Sequence, residues 1–443
     1  MTDKNLKRTD LSRDQAEVYD AILEWTRGRL KTKPAPKKKQ LSFDFDQPQR
    51  LLTVGGYAGT GKTSLLGVFA SDTKMLVAYV TYTGRASSIL HRKLKASGAK
   101  TTGLQRPSES NDDYDDRYYD ASLPRRGGPS FVGTIHRLLY SPIINKHEEL
   151  IGWRKREELD REYDLIVVDE ASMVGDELLE DLQKHRVPIL AVGDHGQLPP
   201  VMASGELMKD PELRLEKIHR QAEKNPIIAL SKVIREDGFL DDTFADGKHI
   251  RFRPKKKIKG VLRKAYNNHP PIHVGIICHT NRRRIQLNMA ARAALGYSGV
   301  PSGGEIVLCL KNNPPVFNGM RGIVTKDGAE DEESPWLLRT AVQFLDEKIN
   351  TGDIDMCCAT FNRERTFSSI EEIQALGIPV KKFGEAGLPY DFGYAMTCHK
   401  AQGSQFKHAI LYLDRRPDPN SEDWRRFAYT AVTRASEKLT VLE

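Results

Sequence analysis

The chain has 443 residues, too many for one ordinary domain, so roughly two to four structural units are expected. Its hydrophobic content of 39%, charged content of 29% and mean hydropathy of −0.52 support real cores. No apolar run approaches the roughly 18 to 20 residues a bilayer span needs, and the first residues carry no apolar signal segment, which argues against membrane or secreted classes. The net charge of +8 suits a polyanionic partner. Five cysteines without a CxxC pair argue against a disulfide framework or zinc site and for a reducing cytosol.

In chain order, Ser12 caps a first helix whose apolar stripe is Ala16, Tyr19, Ile22 and Leu23. A Lys- and Pro-rich loop, 31–49, follows and contains Lys37, Lys38 and Lys39. Leu51, Leu52 and Val54 read as a buried strand, then Gly56-x-x-x-x-Gly61-Lys62-Thr63, then a helix marked by Leu65, Leu66, Val68 and Phe69. Met75–Val80 predicts a second strand and a helix through Leu90. From 98 to 130 the pattern dissolves into a polar, Gly-rich insert with Tyr114, Tyr118 and Tyr119. Strands at Leu165–Val168 and Val187–Val192 enclose a helix at Asp176–His185. A second set follows: strands at His273–Cys278, Ala409–Leu413 and Lys438–Leu442, with helices at Arg282–Leu295 and Asp423–Thr433. All-apolar strands alternating with helices predict parallel sheets covered on both faces. Between Glu305 and Gly387 short β-type runs separated by turns predict an all-β insert. Arg251 to Lys264 holds eight Lys or Arg, a candidate phosphate-tracking surface.

Strand, glycine turn and helix in that order are what a phosphate-binding P-loop requires. Backbone N–H groups of Gly56, Gly59, Thr60, Gly61, Lys62, Thr63 and Ser64 would surround phosphate oxygens, with Lys62 at the β- and γ-phosphates and Thr63 on Mg²⁺. Asp169, at the carboxyl end of an apolar strand, suits Mg²⁺. Its neighbour Glu170 suits the orientation or deprotonation of an attacking water. Gln197 could sense a γ-phosphate, and Pro199-Pro200 would stiffen the loop that leaves it.

The series Gly56–Ser64, Asp169-Glu170-Ala171-Ser172, Gly193-Asp194-x-x-Gln197-Leu198-Pro199-Pro200, Tyr394-Ala395-Met396-Thr397-x-His399-Lys400-x-Gln402-Gly403 and Tyr429–Ala435 resembles the motif series of superfamily-one DNA helicases. The match is to the RecD/Dda-like branch, whose members move 5′ to 3′. The resemblance implies two RecA-like cores facing one another across ATP. Their expected bounds are 1–97 with 131–215, and 216–304 with 388–443. The insert 98–130 falls where a strand-separating pin is expected, and 305–387 matches an SH3-like subdomain. It implies that Gln15 reads adenine, that Arg220 and Arg434 clasp the γ-phosphate from the second motor domain, and that Gln402 and Gly403 join the nucleotide site. Thr83, Thr134, His136, Asn281, Thr397 and His399 resemble positions lining a single-strand channel. The expected cofactors are ATP and Mg²⁺. The expected partners are single-stranded DNA and forked duplex, with a single-strand-binding protein or replication and recombination proteins beyond them. A monomer-capable motor is expected, in the cytoplasm, or in a host's cytoplasm or nucleoid if phage-encoded.

Two departures and two rivals remain. Tyr82 stands where the family usually has proline, and the 98–130 insert shows no hairpin signal. One rival is a translocase that strips proteins from single strands but unwinds poorly; the other is a DNA loader that uses ATP as a switch.

Overall fold

The computed structural model describes residues 7–30, 50–102, 127–144, 150–200, 206–217, 225–311, 316, 318–345, 349–367, 369–381, 383–414 and 417–443. Arg220, the Lys37–Lys39 run and Tyr114, Tyr118 and Tyr119 lie outside them, as does most of the 98–130 insert. The chain divides into two compact units, one ending at Ala222 and the other beginning at Glu223.

Among the described residues the first unit carries a seven-stranded, fully parallel sheet. Its strands are β1 (Leu51–Gly56), β2 (Val77–Thr81), β3 (Thr101–Thr102), β4 (Ser130–Thr134), β7 (Leu165–Asp169), β8 (Ile189–Gly193) and β9 (Leu213–Leu215). They run in the order β3-β4-β2-β7-β8-β1-β9. The central strands β2, β7 and β8 read as apolar runs because both faces are buried, and alternate residues enter two cores. Val77, Tyr79, Leu165, Val167, Leu190 and Val192 pack with Val18, Tyr19 and Ile22 of the helix Arg13–Leu30 and with Leu65, Leu66, Val68 and Phe69 of the helix Lys62–Asp72. Ala78, Val80, Ile166, Val168, Ile189 and Ala191 face the other way, onto Ile135, Leu138 and Leu182. Outside this sheet, β5 (Tyr140–Ile144) and β6 (Leu150–Lys155) pair as an antiparallel hairpin, which the sequence reading did not anticipate.

The second unit holds a parallel sheet in the order β10-β20-β19-β11-β18: β10 is Ile250–Arg253, β11 Val274–Cys278, β18 Ala395–Thr397, β19 Phe406–Tyr412 and β20 Ala435–Leu442. A second, antiparallel sheet comprises β12 (Ile306–Cys309), β13 (Arg321–Val324), β14 (Ala329–Glu330), β15 (Leu337–Phe344), β16 (Ile349–Cys357) and β17 (Tyr390–Phe392). Its last strand, β17, lies beyond the boundary expected at 387, because Val307, Leu308 and Cys309 pair with Phe392, Asp391 and Tyr390. The basic run from Arg251 begins on the edge strand β10 and continues into the helix Ile258–Asn268, with Arg253, Lys256, Lys257, Lys259, Arg263 and Lys264 exposed.

Buried polar contacts join the two sheets of this unit through the helix Asn281–Leu295. Arg292 donates to both carboxylate oxygens of Glu305, at 2.7 and 2.8 Å, and to the carbonyls of Gly299 and Val300. Arg284 pairs with buried Asp391. Asn288 donates to the Phe392 carbonyl at 2.9 Å and accepts from the Ala395 amide at 2.7 Å. Arg321, at the start of β13, donates to the carbonyls of Gly393, Ile272 and Val274 at 2.7 to 2.9 Å. Among the described residues no helix is long and apolar enough to cross a membrane.

Candidate nucleotide and single-strand site

Because the strands of the first sheet are parallel, their carboxyl ends share one edge, the place where open α/β sheets bind ligands. Each motif there ends a strand: the glycine loop ends β1, Tyr82-Thr83 ends β2, Thr134 closes β4, Asp169-Glu170 ends β7 and Asp194–Gln197 follows β8. The sheet order therefore sets the phosphate loop near one end of the edge and the acidic pair at its middle, with Thr83, Thr134 and His136 further along it.

The glycine loop is shaped for close approach. Gly59 and Gly61 adopt φ of 83° and 80°, a left-handed region that side chains disfavour. A Cβ on Gly56 would lie 2.7 Å from the Thr60 hydroxyl. Gly61 precedes the helix Lys62–Asp72, whose first N–H groups face the loop. Thr63 is half-buried and Ser64 exposed at its first turn. The Lys62 ammonium donates to the carbonyls of Gly56 and Tyr57 and lies 3.9 Å from an Asp194 carboxylate oxygen.

Asp169 and Glu170 differ in setting. Burial, and then the adjacent Glu170 carboxylate, raises the Asp169 pKa to about 6. Its Oδ1 accepts the Glu170 amide at 3.0 Å. Glu170 sits at φ 55°, ψ 41°, left-handed geometry that a non-glycine residue holds at some strain. Its Oε2 is buried and has no hydrogen bond in the structure, and the same is true of Gln197 Oε1 and Ser172 Oγ. Gln197 Nε2 donates to Asp194 at 3.3 Å, and Asp194 also accepts the Gly196 amide at 3.0 Å. Asp194 thus connects Lys62 to Gln197. The sequence reading quoted it without assigning it a role, although the Asp-x-x-Gln spacing of one tight turn was the available signal. Buried acceptors without donors, beside a lysine and a left-handed glycine loop, fit a phosphate-bearing ligand with a cation.

Gln15 is buried in a role the residues alone did not suggest. Ser12 and Gln15 form a reciprocal capping box: the Ser12 hydroxyl accepts the Gln15 amide at 3.3 Å and Gln15 Oε1 accepts the Ser12 amide at 3.0 Å. Gln15 Nε2 then reaches the carbonyls of Thr60 and Gly61 at 3.2 and 3.3 Å. In this arrangement both ends of the amide hold protein groups, and Gln15 braces the glycine loop.

Thr83 and Thr134 are N-caps, accepting the amides of Ala86 and Arg137 at 3.2 Å each. Each hydroxyl keeps its own proton to donate outward. His136 is exposed at its edge yet packed against rings, and this partial burial lowers its pKa.

The second unit separates its candidates by strand end. Asn281 follows β11, Thr397 ends β18 and His399 follows it; register sets Cys278 beside Thr397, so these residues share a carboxyl edge. Thr397 is buried, Asn281 accepts from Arg284 Nε at 3.2 Å, and burial lowers the His399 pKa. Arg434 precedes β20 at the opposite, amino edge, where Ala435 pairs with Phe406. Its guanidinium is buried and donates to the Thr430 and Ser404 carbonyls and to the Thr433 hydroxyl, at 3.0 to 3.2 Å. Gln402 is buried, and Gly403 has φ 69°.

A family model described as an AAA domain matches residues 44–253, and one described as a UvrD-like helicase C-terminal domain matches 392–442. The ATP-dependent RecD2 DNA helicase of Deinococcus radiodurans is 26% identical over 326 residues, covering 69% of this chain and 39% of that protein. The RecBCD enzyme subunit RecD of Buchnera aphidicola is 22% identical over 439 residues, covering 88% of this chain and 70% of the relative. In sequence the chain is similar to RecD-type DNA helicases. It thus spans well under half the length of the Deinococcus relative and about two thirds of the Buchnera one. A crystal structure of Bacteroides Pif1 bound to single-stranded DNA has the same fold, with a TM-score of 0.50 at 17% identity over 97% of this chain and 92% of the other. The helicase fold therefore comprises two RecA-like α/β units.

Proposed function

We propose that this chain is an ATP-dependent DNA helicase that tracks single-stranded DNA 5′ to 3′ and separates duplex, in replication, recombination or repair. The observation that carries the reading is the single sheet edge of the first unit. There a glycine loop with Lys62, an acidic pair with an unsatisfied buried Glu170 oxygen, and the strand-end threonines of the single-strand path stand in strand order. Lys62 would exchange its carbonyl partners for phosphate oxygens, and Asp194 would help to hold it in reach. Glu170, fixed by its left-handed backbone, would take a proton from water, and Gln197, held through Asp194, would donate an amide N–H to the γ-phosphate while its Oε1 accepts from that water. Thr63 and Asp169 would hold Mg²⁺, whose charge offsets that of the phosphates. Arg220 and Arg434 would serve as the phosphate-clasping arginines, Arg434 by leaving its present acceptors. Gln402 and Gly403 would complete the nucleotide site, with Gln15 bracing the loop or reading adenine. Asn281, Thr397 and His399 would continue the strand path in the second unit.

The domain reading is retained in outline, with cores at 1–97 and 131–215 and at 216–304 and 388–443. The antiparallel sheet of Ile306–Phe392 supports an SH3-like insert. The β5–β6 hairpin, a paired ribbon outside the parallel sheet, is a second candidate for strand separation beside 98–130. Forked duplex and a single-strand-binding protein remain the expected partners, and unpaired cysteines suit a reducing cytoplasm.

The test is ATP hydrolysis with and without single-stranded DNA, followed by unwinding of duplexes with a 5′ or a 3′ tail. Stimulation by DNA together with unwinding from the 5′ tail is expected. An unstimulated rate would remove the motor reading, and unwinding from the 3′ tail would reverse the polarity. Translocation without unwinding would favour the protein-stripping alternative.

A further inference from the structure

Tyr82 ends β2 immediately before Thr83, at the position where the family pattern has proline, and its side chain is left 40% exposed. It is not an isolated ring. Tyr82 meets His136 edge to face, with centroids 6.3 Å apart and planes at 70°. On its other side His136 stacks on Tyr140, at 5.6 Å and 24°. The inner end of this row is anchored: the Tyr140 hydroxyl donates to Asp181 at 2.8 Å, and the same carboxylate holds Lys155 and Lys184. The chain builds the row from three elements that the sheet brings together, the end of β2, the helix Ile135–Leu139 and the first residue of β5. Register pairs Thr81 with Thr134, which puts the two capping threonines beside the rings.

Chemistry favours a flat, weakly charged partner. Partial burial lowers the His136 pKa from its ordinary value. Burial and the Asp181 bond push the Tyr140 phenol up to about 12. A row of π faces next to hydroxyl donors matches a nucleotide strand: donors for the phosphates, rings for the bases. The alternative is that Tyr82 only shields the root of the β5–β6 hairpin, but a shielding ring would be covered rather than left at the exposed end of the row.

We infer that Tyr82, backed by His136 and Tyr140, is a base-stacking platform for single-stranded DNA, so that the first unit grips bases as well as backbone. This rests on the single-strand reading above.

The test is fluorescence anisotropy with the full chain, using labelled oligo-dT and a strand of equal length that carries abasic sites at its centre. Wild type should prefer the intact strand. Tyr82→Ala and Tyr82→Leu should weaken binding of oligo-dT about tenfold, barely change binding of the abasic strand, and leave the salt dependence of binding unaltered because no phosphate contact is lost. Tyr82→Trp should retain the preference. Equal loss on both strands, or equal wild-type affinity for them, would overturn the platform while leaving the single-strand reading standing. Failure of wild type to bind either strand would overturn both. Thermal melting of each variant identifies any that has lost its fold.

Discussion

In the first unit, the carboxyl edge of the sheet leaves Glu170 Oε2, Gln197 Oε1 and Ser172 Oγ buried with no hydrogen bond in the structure, beside an Asp169 whose pKa burial has raised. In the second unit, Arg292 is surrounded by acceptors, with Glu305 on both forks and two carbonyls besides, while Arg284 and Arg321 are bonded in the same thorough way. A buried polar group without a partner costs about 1–3 kcal/mol, whereas a satisfied charged pair holds one geometry. The first arrangement is suited to receive a ligand. The second is suited to make the antiparallel sheet move as one piece with its parallel neighbour, because the helix Asn281–Leu295 bonds to both.

The comparison can be broken most sharply at Glu170. Glu170→Gln should lower DNA-stimulated hydrolysis by about 10²–10⁴-fold with little change in melting temperature; an unchanged turnover number would remove it as the base. In the second unit the expectation reverses. Glu305→Gln should leave nucleotide binding intact while lowering unfolding free energy by about 3 kcal/mol in a denaturant titration, since Arg292 would keep its burial and lose its charge partner.

Next in size is a pH effect confined to the second unit. His408 is buried, its Nε2 2.9 Å from the Thr440 hydroxyl. Burial first, then Lys438, His269 and Arg251, lowers its pKa to about 3. A depressed folded pKa means stability that is present above about 6.5, the unfolded value, and lost as pH falls below it. The loss should reach about 2 kcal/mol at pH 5. Melting of wild type and His408→Gln at pH 7.5 and pH 5 checks this, and an equal drop in both proteins would exclude His408.

The smallest effect concerns Gln15. Gln15→Ala should cost about 1 kcal/mol through the lost capping box. If Gln15 acts only as a brace, the variant should weaken hydrolysis of ATP and GTP in parallel; if it reads adenine, the loss should fall on ATP.

These contrasts also show what was legible beforehand. The strands β1, β2, β7 and β8 were visible because they are apolar and buried, and the glycine loop because its left-handed residues must be glycine, whereas β3, β4 and β9 were missed because they are short or polar. The hairpin β5–β6 escaped notice because Tyr140–Ile144 and Leu150–Lys155 are short and lie outside the alternation of strand and helix. Asp194 was missed as a bridge because its importance depends on Lys62, a residue from another strand end. The buried arginines of the second unit drew no reading from the sequence, since Arg284 and Arg292 find Asp391 and Glu305 through tertiary folding. Tyr82 stood out as a departure, but its companions His136 and Tyr140 became apparent only once β2 and β4 were neighbours.

The strand order of the second parallel sheet bears on how the molecule is made. Among the described residues β10, at Ile250–Arg253, joins that sheet through β20 alone, at Ala435–Leu442, which lies between it and β19. On the ribosome, the first sheet has all its strands once Leu215 has emerged. The second remains split, with the edge strand β10 unpaired, until β20 has been synthesised. Such late, long-range parallel pairing is slow and leaves apolar strand edges exposed while it waits. Nascent chains should therefore gain the first unit early and depend on chaperones, if anywhere, for the second.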